Sequence, residues 1–371
     1  DGIRDAQESR GLGDVYKRQV SGRSRGKFKL LTILLRKNKK SPNIGIIGCG
    51  QFTYSTLGYV ITSKYGNRFL DCYDIDSQAA VTFADFYQIK HHALNSQSIF
   101  DNEQIKYIYI ASNHASHADY AISALSKDKI VYVEKPIAVN KNQLSRLIKC
   151  VNSSSKPIYA GYNRPFSKAI LDLKTQVLSN LDIPITLNCF VSAHKLPLDH
   201  WYRDENEGTR ICGNVGHWLD LAVHILSWSK LPDKWDIQIS YSDLVETDDD
   251  MSISLTSSRG DLIVIVITSR GEPFEGINET INFQQGEVIC KIDDFRSSTT
   301  WKNGTLIKNK YRPKDVGHSQ SICQPFEEKY SRDWNEVVDS TILMLHIADM
   351  VKKSNKNSLF SFNESLSTIN N

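Results

Sequence analysis

From Asn43 onward the chain switches between two hydrophobic rhythms. Short apolar runs occur at 43–50 (NIGIIGCG), 68–76 (RFLDCYDID), 105–113 (IKYIYIASN), 129–136 (KIVYVEKP) and 157–163 (PIYAGYN). Each ends in glycines, acids or other polar groups, as buried strands do. Between them, residues 52–65, 78–87, 117–128 and 142–154 repeat apolar positions at helical spacing. Strands alternating with helices predict βαβ units and a parallel sheet over about 41–163.

The second half has another rhythm. Residues 166–180 and 214–229 read as helices, followed by alternating strand patterns at 235–242, 251–258, 261–269, 279–285 and 286–295. Arg259-Gly260 and Asn303-Gly304 mark turns. The pattern predicts an antiparallel meander, one sheet with helices on one face. Residues 333–353 predict a late helix, with Trp334, Val337, Val338, Leu345 and Val351 as core contacts. The fold class is therefore α/β plus α+β. A Rossmann dinucleotide-binding domain at 41–163 precedes a mostly antiparallel domain at 164–355, and 356–371 reads as a tail.

Composition changes this picture in few places. The net charge of +3 hides a split: residues 1–40 carry 12 Lys/Arg against 4 Asp/Glu, and the remaining residues are mildly acidic. The body therefore lacks the basic footprint of a nucleic-acid binder. The first 28 or so residues lack periodicity and resemble translated adapter or vector sequence, so 1–40 is expected to be a non-native or disordered lead; a native basic arm is the rival. No apolar run approaches the roughly 18 residues that span a bilayer. Leu30 to Leu35 is interrupted by Thr32 and too short for a signal-peptide core. Seven cysteines without a C-x-x-C pair argue against a disulfide framework or a structural zinc site. A cytoplasmic protein without membrane contact is the expectation. No H-E-x-x-H or His₂-carboxylate spacing appears, so no metal is expected.

Candidate chemistry gathers at strand ends, where open parallel sheets bind ligands. Gly48, Gly50, Gln51 and Phe52 span the turn from the first strand into the first helix. Gly48 allows a tight turn, and Gly50 lets the backbone approach a pyrophosphate at a helix N-terminus. Thr53 stands where the fingerprint has a third glycine, which puts close helix–strand packing in doubt. Asp74 lies 24 residues past Gly50, near the spacing of an acid that holds ribose hydroxyls. Asp74 or Asp76 could instead cap the next helix. No Arg or Lys at 75–78 awaits a 2′-phosphate, so NAD is favoured over NADP. Ser112, Asn113, His114 and His117 follow the third strand; for His114 a helix-cap contact competes with a cofactor role. Glu134 and Lys135 end the fourth strand, where Pro136 stops the ladder and fixes the direction in which they project.

The sequence GCGQF, IASNHASHA and EKP together resembles the Gfo/Idh/MocA family of oxidoreductases, from about Asn43 to beyond Asp220. GYNRPFS (161–167) and LPLDHWYRDENEGTRICGNVGHWLDL (196–221) resemble a branch often fused to a zinc-dehydrogenase-like domain and found near polysaccharide genes. No such domain precedes residue 41, so a stand-alone member or a fragment is expected. The resemblance implies hydride transfer between NAD and a carbinol carbon of a sugar or sugar nucleotide, and a homodimer or homotetramer through the second domain's sheet. It implies Lys135 as the catalytic lysine and His217 as the catalytic histidine. It adds Asn163 and Arg164 to the cofactor contacts. Where many members carry an Asp four residues before the histidine, this chain has Gly213. The branch's Glu is Asn214 and its Cys is Gly216. These departures leave the proton-transfer group open between His217, which needs little tuning, and Lys135, which needs a lowered pKa or acts as an electrostatic guide.

Asp220 lies one helical turn past His217 and could orient the imidazole, bind substrate hydroxyls or face solvent. Trp201 is a candidate to stack on a sugar ring or a core residue, and Asn214 is a further substrate contact. His224 reads as a core or surface histidine. Two other classes stay open: a nucleotide- and sugar-binding sensor of the same fold, and a glycosidase that uses NAD transiently.

Overall fold

The structure, a computed structural model, describes residues 39–177, 183–243, 245–273, 276–327 and 331–370. The expected lead at 1–40 lies almost wholly outside the described residues. The chain forms two compact units. The first runs to Ile137 and adds Arg146–Gly161 and Ser321–Ser331; the second takes Ala138–Ser145, Tyr162–Gln320 and Arg332–Asn371.

Unit 1 is built on a five-stranded parallel sheet. Its strands are β1 (Lys39–Ile47), β2 (Asn67–Tyr73), β3 (Tyr107–Ile110), β4 (Ile130–Val133) and β5 (Ile158–Ala160), in the order β2-β1-β3-β4-β5. Ile44, Ile46, Ile108, Ile110, Val131 and Val133 are fully buried. Burial on both faces is why these strands read as continuous apolar runs rather than alternating ones. Helices α1 (Gly58–Tyr65), α2 (Ser77–Tyr87), α3 (Ser96–Asp101), α4 (His117–Leu125) and α5 (Lys141–Ser153) follow the strands. Asp76 caps α2 by accepting from the Gln78 N–H at 2.9 Å, the role the sequence divided between Asp74 and Asp76.

Unit 1 also recovers a distant piece of chain. Tyr109 donates to the Ile322 carbonyl at 2.9 Å, Tyr65 donates to Glu327 at 2.5 Å, and Gln324 donates to the Ala160 carbonyl at 3.0 Å. Residues 321–327 thus belong with the dinucleotide-binding fold, which the sequence placed wholly within 41–163. Nothing in their local pattern announces this, because the groups that bind them are more than 160 residues away.

Unit 2 carries a nine-stranded sheet. Strands β6 (Ile185–Ser192), β7 (Lys234–Tyr241), β8 (Met251–Ser257), β9 (Leu262–Thr268), β10 (Asn278–Gln285), β11 (Val288–Asp293), β12 (Ser297–Lys302), β13 (Thr305–Lys310) and β14 (Asn357–Ser361) lie in the order β13-β12-β11-β10-β6-β9-β8-β7-β14. All neighbours are antiparallel except β6 and β9. Helices α6 (Lys168–Val177), α7 (Gly216–Leu226), α9 (Trp334–Lys352) and α10 (Phe362–Asn370) belong to this unit, and α8 (His318–Cys323) is divided, its last three residues counting with unit 1. Helix α6 packs on β11 and β12, and α7 on β6 and β9. On β6, Leu187, Cys189 and Val191 are buried while Phe190 is 47% exposed. That alternation gives the sheet one inner and one outer face.

Two expectations change here. The stretch expected as a tail holds β14 and α10: β14 pairs with β7, and Phe360, Phe362 and Ile369 are buried. The meander also contains β6, β12 and β13. The β12–β13 hairpin turns through Asn303 and Gly304, both at positive φ (50° and 73°), the geometry that favours Asn-Gly. Of the expected core residues on α9, Val337, Val338 and Leu345 are buried, while Trp334 and Val351 are half-buried.

Candidate functional site

In unit 1 the glycine turn is shaped by its neighbours. Gly48 adopts φ +91°, and a Cβ there would stand 2.4 Å from the Ala111 carbonyl carbon and oxygen. Only glycine fits both the conformation and the backbone of the next strand's turn. A Cβ on Gly50 would meet nothing within 4 Å, so the loop is open on that side. The next turn is wide: Thr53–Leu57 forms a π-helical turn before α1. Thr53 donates its hydroxyl to the Gly48 carbonyl at 2.7 Å, so the residue in place of the third glycine ties the loop shut. The close approach that a third glycine permits occurs at Gly58, whose Cβ would lie 2.4 Å from the Tyr87 hydroxyl.

Asp74 completes the cradle. Its Oδ2 accepts from the Cys49 N–H at 2.6 Å and its Oδ1 from the Asp76 N–H at 2.9 Å. A carboxylate accepts about four hydrogen bonds, so capacity remains for ribose hydroxyls. Burial pushes this carboxyl's pKa up against the two backbone donors. An open glycine edge, a helix start and a carboxylate at the end of β2 fit the diphosphate and ribose of a dinucleotide. Gln51 is exposed and Phe52 half-buried on the same turn.

The turns after β3 and β4 are tied together. Ser112 and Ser116 share a hydroxyl contact of 2.7 Å, and Ser116 donates to the Asn113 side chain at 2.7 Å. His114 is buried, its ring 5.9 Å from that of His117. His117 is also buried, with Nδ1 2.8 Å from the Pro136 carbonyl oxygen and Nε2 3.1 Å from that of Ser112. Both ring nitrogens thus lie against backbone carbonyl oxygens. Glu134 likewise turns inward. It is 8% exposed, and its carboxylate accepts from the Tyr132 hydroxyl at 2.8 Å and the Lys135 N–H at 3.2 Å. Burial raises its pKa to about 7, with the Lys135 charge pulling the other way. Lys135 follows, half-buried, at the carboxyl end of the sheet.

In unit 2, Asn163 and Arg164, the expected cofactor contacts, have protein partners. Asn163 is buried and donates to the Val316 carbonyl at 2.6 Å. Arg164 is 5% exposed and grips Glu279 at 2.7 and 3.1 Å, with its guanidinium 4.4 Å from the Trp218 ring centroid. Trp218 donates to the same carboxylate at 2.7 Å. A bidentate buried pair of this kind is a core tie.

His217 sits half-buried in the first turn of α7, its ring 6.3 Å from Tyr162 and 6.0 Å from Trp218. The π-helical turn Ile211–Val215 precedes it. That turn carries Asn214, whose Oδ1 is buried with no hydrogen-bond partner among the described residues. Asp220 does not face solvent. It is fully buried, paired with Arg332 at 2.7 Å and accepting from Ser340 at 2.9 Å. Burial raises its pKa, against Arg332. Arg332 also binds Glu336; burial opposes that carboxylate's charge, yet Arg332 and His224 hold its pKa down to about 2. His224 is a core histidine, its Nδ1 2.8 Å from Glu336 and its Nε2 accepting from the Trp228 indole at 3.2 Å.

Trp201 is 43% exposed and stands in a short 3₁₀ turn with Tyr202 and Arg203, so it is not a core residue. Its ring stacks on His200 (6.0 Å, 20°) and meets Tyr202 edge-on at 4.3 Å. Asp249 holds this ledge. It binds Arg203 at 2.8 Å and Arg210 at 2.7 Å, and those arginines donate to the carbonyls of Leu196, Pro197 and His194. Arg203, Arg210 and Asp249 were not singled out in the sequence. Their signal is a loop rich in unlike charges that only the fold brings together.

Among the described residues no group of three or more His, Cys, Asp or Glu could hold a metal, and no helix is long and apolar enough to cross a membrane. Residues 42–162 match a family model described as an oxidoreductase family with an NAD-binding Rossmann fold. The chain is 26% identical over 139 residues to "Oxidoreductase P35" of Formosa agariphila, covering 38% of this chain and 43% of that protein. It is 24% identical over 208 residues to an inositol 2-dehydrogenase of Ralstonia nicotianae, covering 53% and 57%. The match thus spans about half the length of these curated relatives. A solved levoglucosan dehydrogenase in complex with NADH and levoglucosan shares the fold, with a TM-score of 0.71 at 12% identity, covering 87% of this chain and all of that one.

Proposed function

We propose that the chain is a Gfo/Idh/MocA oxidoreductase, a reading supported by the match of residues 42–162 to that family's NAD-binding domain, and that it moves a hydride between NAD and a carbinol carbon of a sugar or sugar nucleotide. The observation that carries this reading is the cradle in unit 1. Gly48 is forced by its neighbours, Gly50 opens outward, and Asp74 is fixed by two backbone N–H groups with acceptor capacity left over. Bound NAD supplies the hydride-accepting ring. Asp74 holds the ribose hydroxyls, and the backbone around Gly50 the diphosphate. An alcohol that gives up a hydride also gives up a proton. We assign that proton to the His217 imidazole, with the Lys135 ammonium as the assisting charge. Asn214, whose buried carbonyl oxygen has no partner among the described residues, is assigned to a substrate hydroxyl, and Trp201 to the apolar face of the ring.

The sugar class is supported by the named activities of the relatives, an inositol 2-dehydrogenase and a levoglucosan dehydrogenase. Steady NADH formation from NAD and a panel of free sugars, inositols and sugar nucleotides tests it. Release of free sugar from a glycoside without net NADH would point to a glycosidase, and binding without turnover to a sensor.

We also infer a cytoplasmic setting, supported by seven cysteines that are all free thiols. A second copy of the chain is the partner we assign to the outer face of the unit 2 sheet. Ile289, Trp301 and Leu306 are cross-strand neighbours there, each more than 40% exposed. Sedimentation of wild type against Trp301→Asp tests this; a monomeric wild type would reject it.

A further inference from the structure

His117 opens helix α4 and is 1% exposed, and its imidazole lies between two turns. Nδ1 is 2.8 Å from the carbonyl oxygen of Pro136, the residue that follows Lys135. Nε2 is 3.1 Å from the carbonyl oxygen of Ser112, in the turn whose backbone touches Gly48. We propose that His117 is a positioning residue that pins the turn after β4 to the turn after β3 and so fixes where Lys135 stands. The consequence for catalysis rests on the reading of Lys135 given above; the clamp itself does not.

Three observations converge on this role. Pro136 has no N–H, so its carbonyl is the backbone group by which the turn beyond Lys135 is held. The strand ladder stops just before it: Glu134 N–H reaches the Ile110 carbonyl at 2.8 Å, and the Val133 carbonyl accepts from Gly161 at 2.8 Å. Finally, both partners of His117 are carbonyl oxygens, which only accept. A neutral imidazole has one N–H and one lone pair, whereas the imidazolium donates from both nitrogens. Two contacts at 2.8 and 3.1 Å therefore call for the doubly protonated ring, and loss of one proton frees one of the turns.

Ionisable groups on the elements packed against α4 are His114, Tyr107, Tyr109, Tyr132, Glu134 and Lys135, together with Arg146 and Cys150 on α5 and Asp101 on α3. Of these, Glu134 lies two residues before the carbonyl that His117 contacts.

Two measurements read the clamp without any substrate. Long-range ¹H–¹⁵N correlations on the histidine-labelled full chain near neutral pH should show both His117 nitrogens protonated, the signal being assigned by its loss in His117→Gln. Amide hydrogen exchange over residues 134–139 should speed up about tenfold or more in His117→Ala, or in His117→Gln if the alanine variant does not fold. A neutral ring in the wild type, or unchanged exchange in the variant, overturns the clamp. A sugar that the wild type turns over then gives the third readout. The variant should lose roughly 10²-fold in kcat, as displaced catalytic groups do, with a much smaller change in NADH affinity. Faster exchange with intact kcat overturns the positioning role. If the wild type turns over no sugar, or Lys135→Ala is fully active, the functional reading fails instead, and the first two measurements still judge the clamp.

Discussion

Gly161 lies directly against Glu134: a Cβ on Gly161 would stand 2.5 Å from Glu134 Oε1 and 2.9 Å from its Cα. The acid at the end of β4 is therefore tucked under the next strand, and the chain makes room for it with a missing side chain. The buried carboxylate, and not a surface ion pair, is why an acid precedes Lys135.

Gly161→Ala should destabilise unit 1 by about 1–3 kcal/mol, the usual cost of forcing a methyl into a packed site. Part of the clash is with the Glu134 backbone, which cannot swing away. Urea unfolding of the variant measures this, and an unchanged midpoint would mean the contact relaxes freely.

Glu134 should make stability depend on pH. Its folded pKa is raised to about 7 by burial, above the ordinary carboxyl value of 4.5. Its contribution is therefore fully present below about pH 4.5 and is lost as pH rises through about 7. Glu134→Gln cannot ionise, so it should flatten that decline and be more stable than wild type above neutral pH, by up to about 3 kcal/mol. Unfolding midpoints from pH 4 to 8 should show the two proteins diverging upward in pH; parallel curves would place the titration elsewhere.

Arg164 and Glu279 should behave as a buried pair. Arg164→Ala leaves Glu279 charged and buried, and should cost about 3–5 kcal/mol, whereas replacing both with leucine should recover most of the loss. NADH affinity measured by fluorescence should stay near wild type in the double variant. A large loss of affinity there would return Arg164 to the cofactor.

At the cofactor and the proton, the expected losses separate by readout. Asp74→Ala should weaken NADH binding, since its carboxylate anchors both the loop and the ribose. Lys135→Ala and His217→Ala should each lower turnover by about 10²–10⁴, the range of a positioned proton-transfer group, with smaller effects on NADH affinity. A fully active Lys135→Ala would favour the sensor reading.

Trp201 and Asp249 test the ledge. Trp201→Ala removes an exposed ring, so stability should move by less than about 0.5 kcal/mol while KM for the sugar rises. Asp249→Ala removes the carboxylate that Arg203 and Arg210 share and should raise KM as well, with a loss of stability that Trp201→Ala lacks. Unchanged KM in both would mean that the ledge does not meet substrate.

Strand and helix existence was legible wherever burial imposes a local period. The parallel strands are apolar throughout because both faces are covered, and the glycine turn with its acid sits at a fixed distance from the first strand. That is why Gly48, Gly50, Asp74 and Lys135 could be picked out from their neighbours alone. Strand β6 has the alternation of a half-buried strand, but its polar positions Thr186 and Asn188 dilute it, and its partners β9 and β10 lie far along the chain. The tail gave no strand signal because β14 is ordered by pairing with β7 and burying Phe360.

The sequence by itself determined the two fold classes, the alternation of strands and helices over 41–163 and the residues at those strand ends, because these follow from local periodicity and from chemistry at fixed spacing. Only the tertiary structure decided what the charged and polar side chains do there. Arg164 went to Glu279, Asp220 to Arg332 and His117 to two backbone carbonyls. Each of those choices balances the cost of burying a charge or polar group against a partner of opposite sign or matching hydrogen-bond sense, and the partner lies 112 or more residues away for the two ion pairs. Spacing along a chain does not carry that information; the packing of one element on another does.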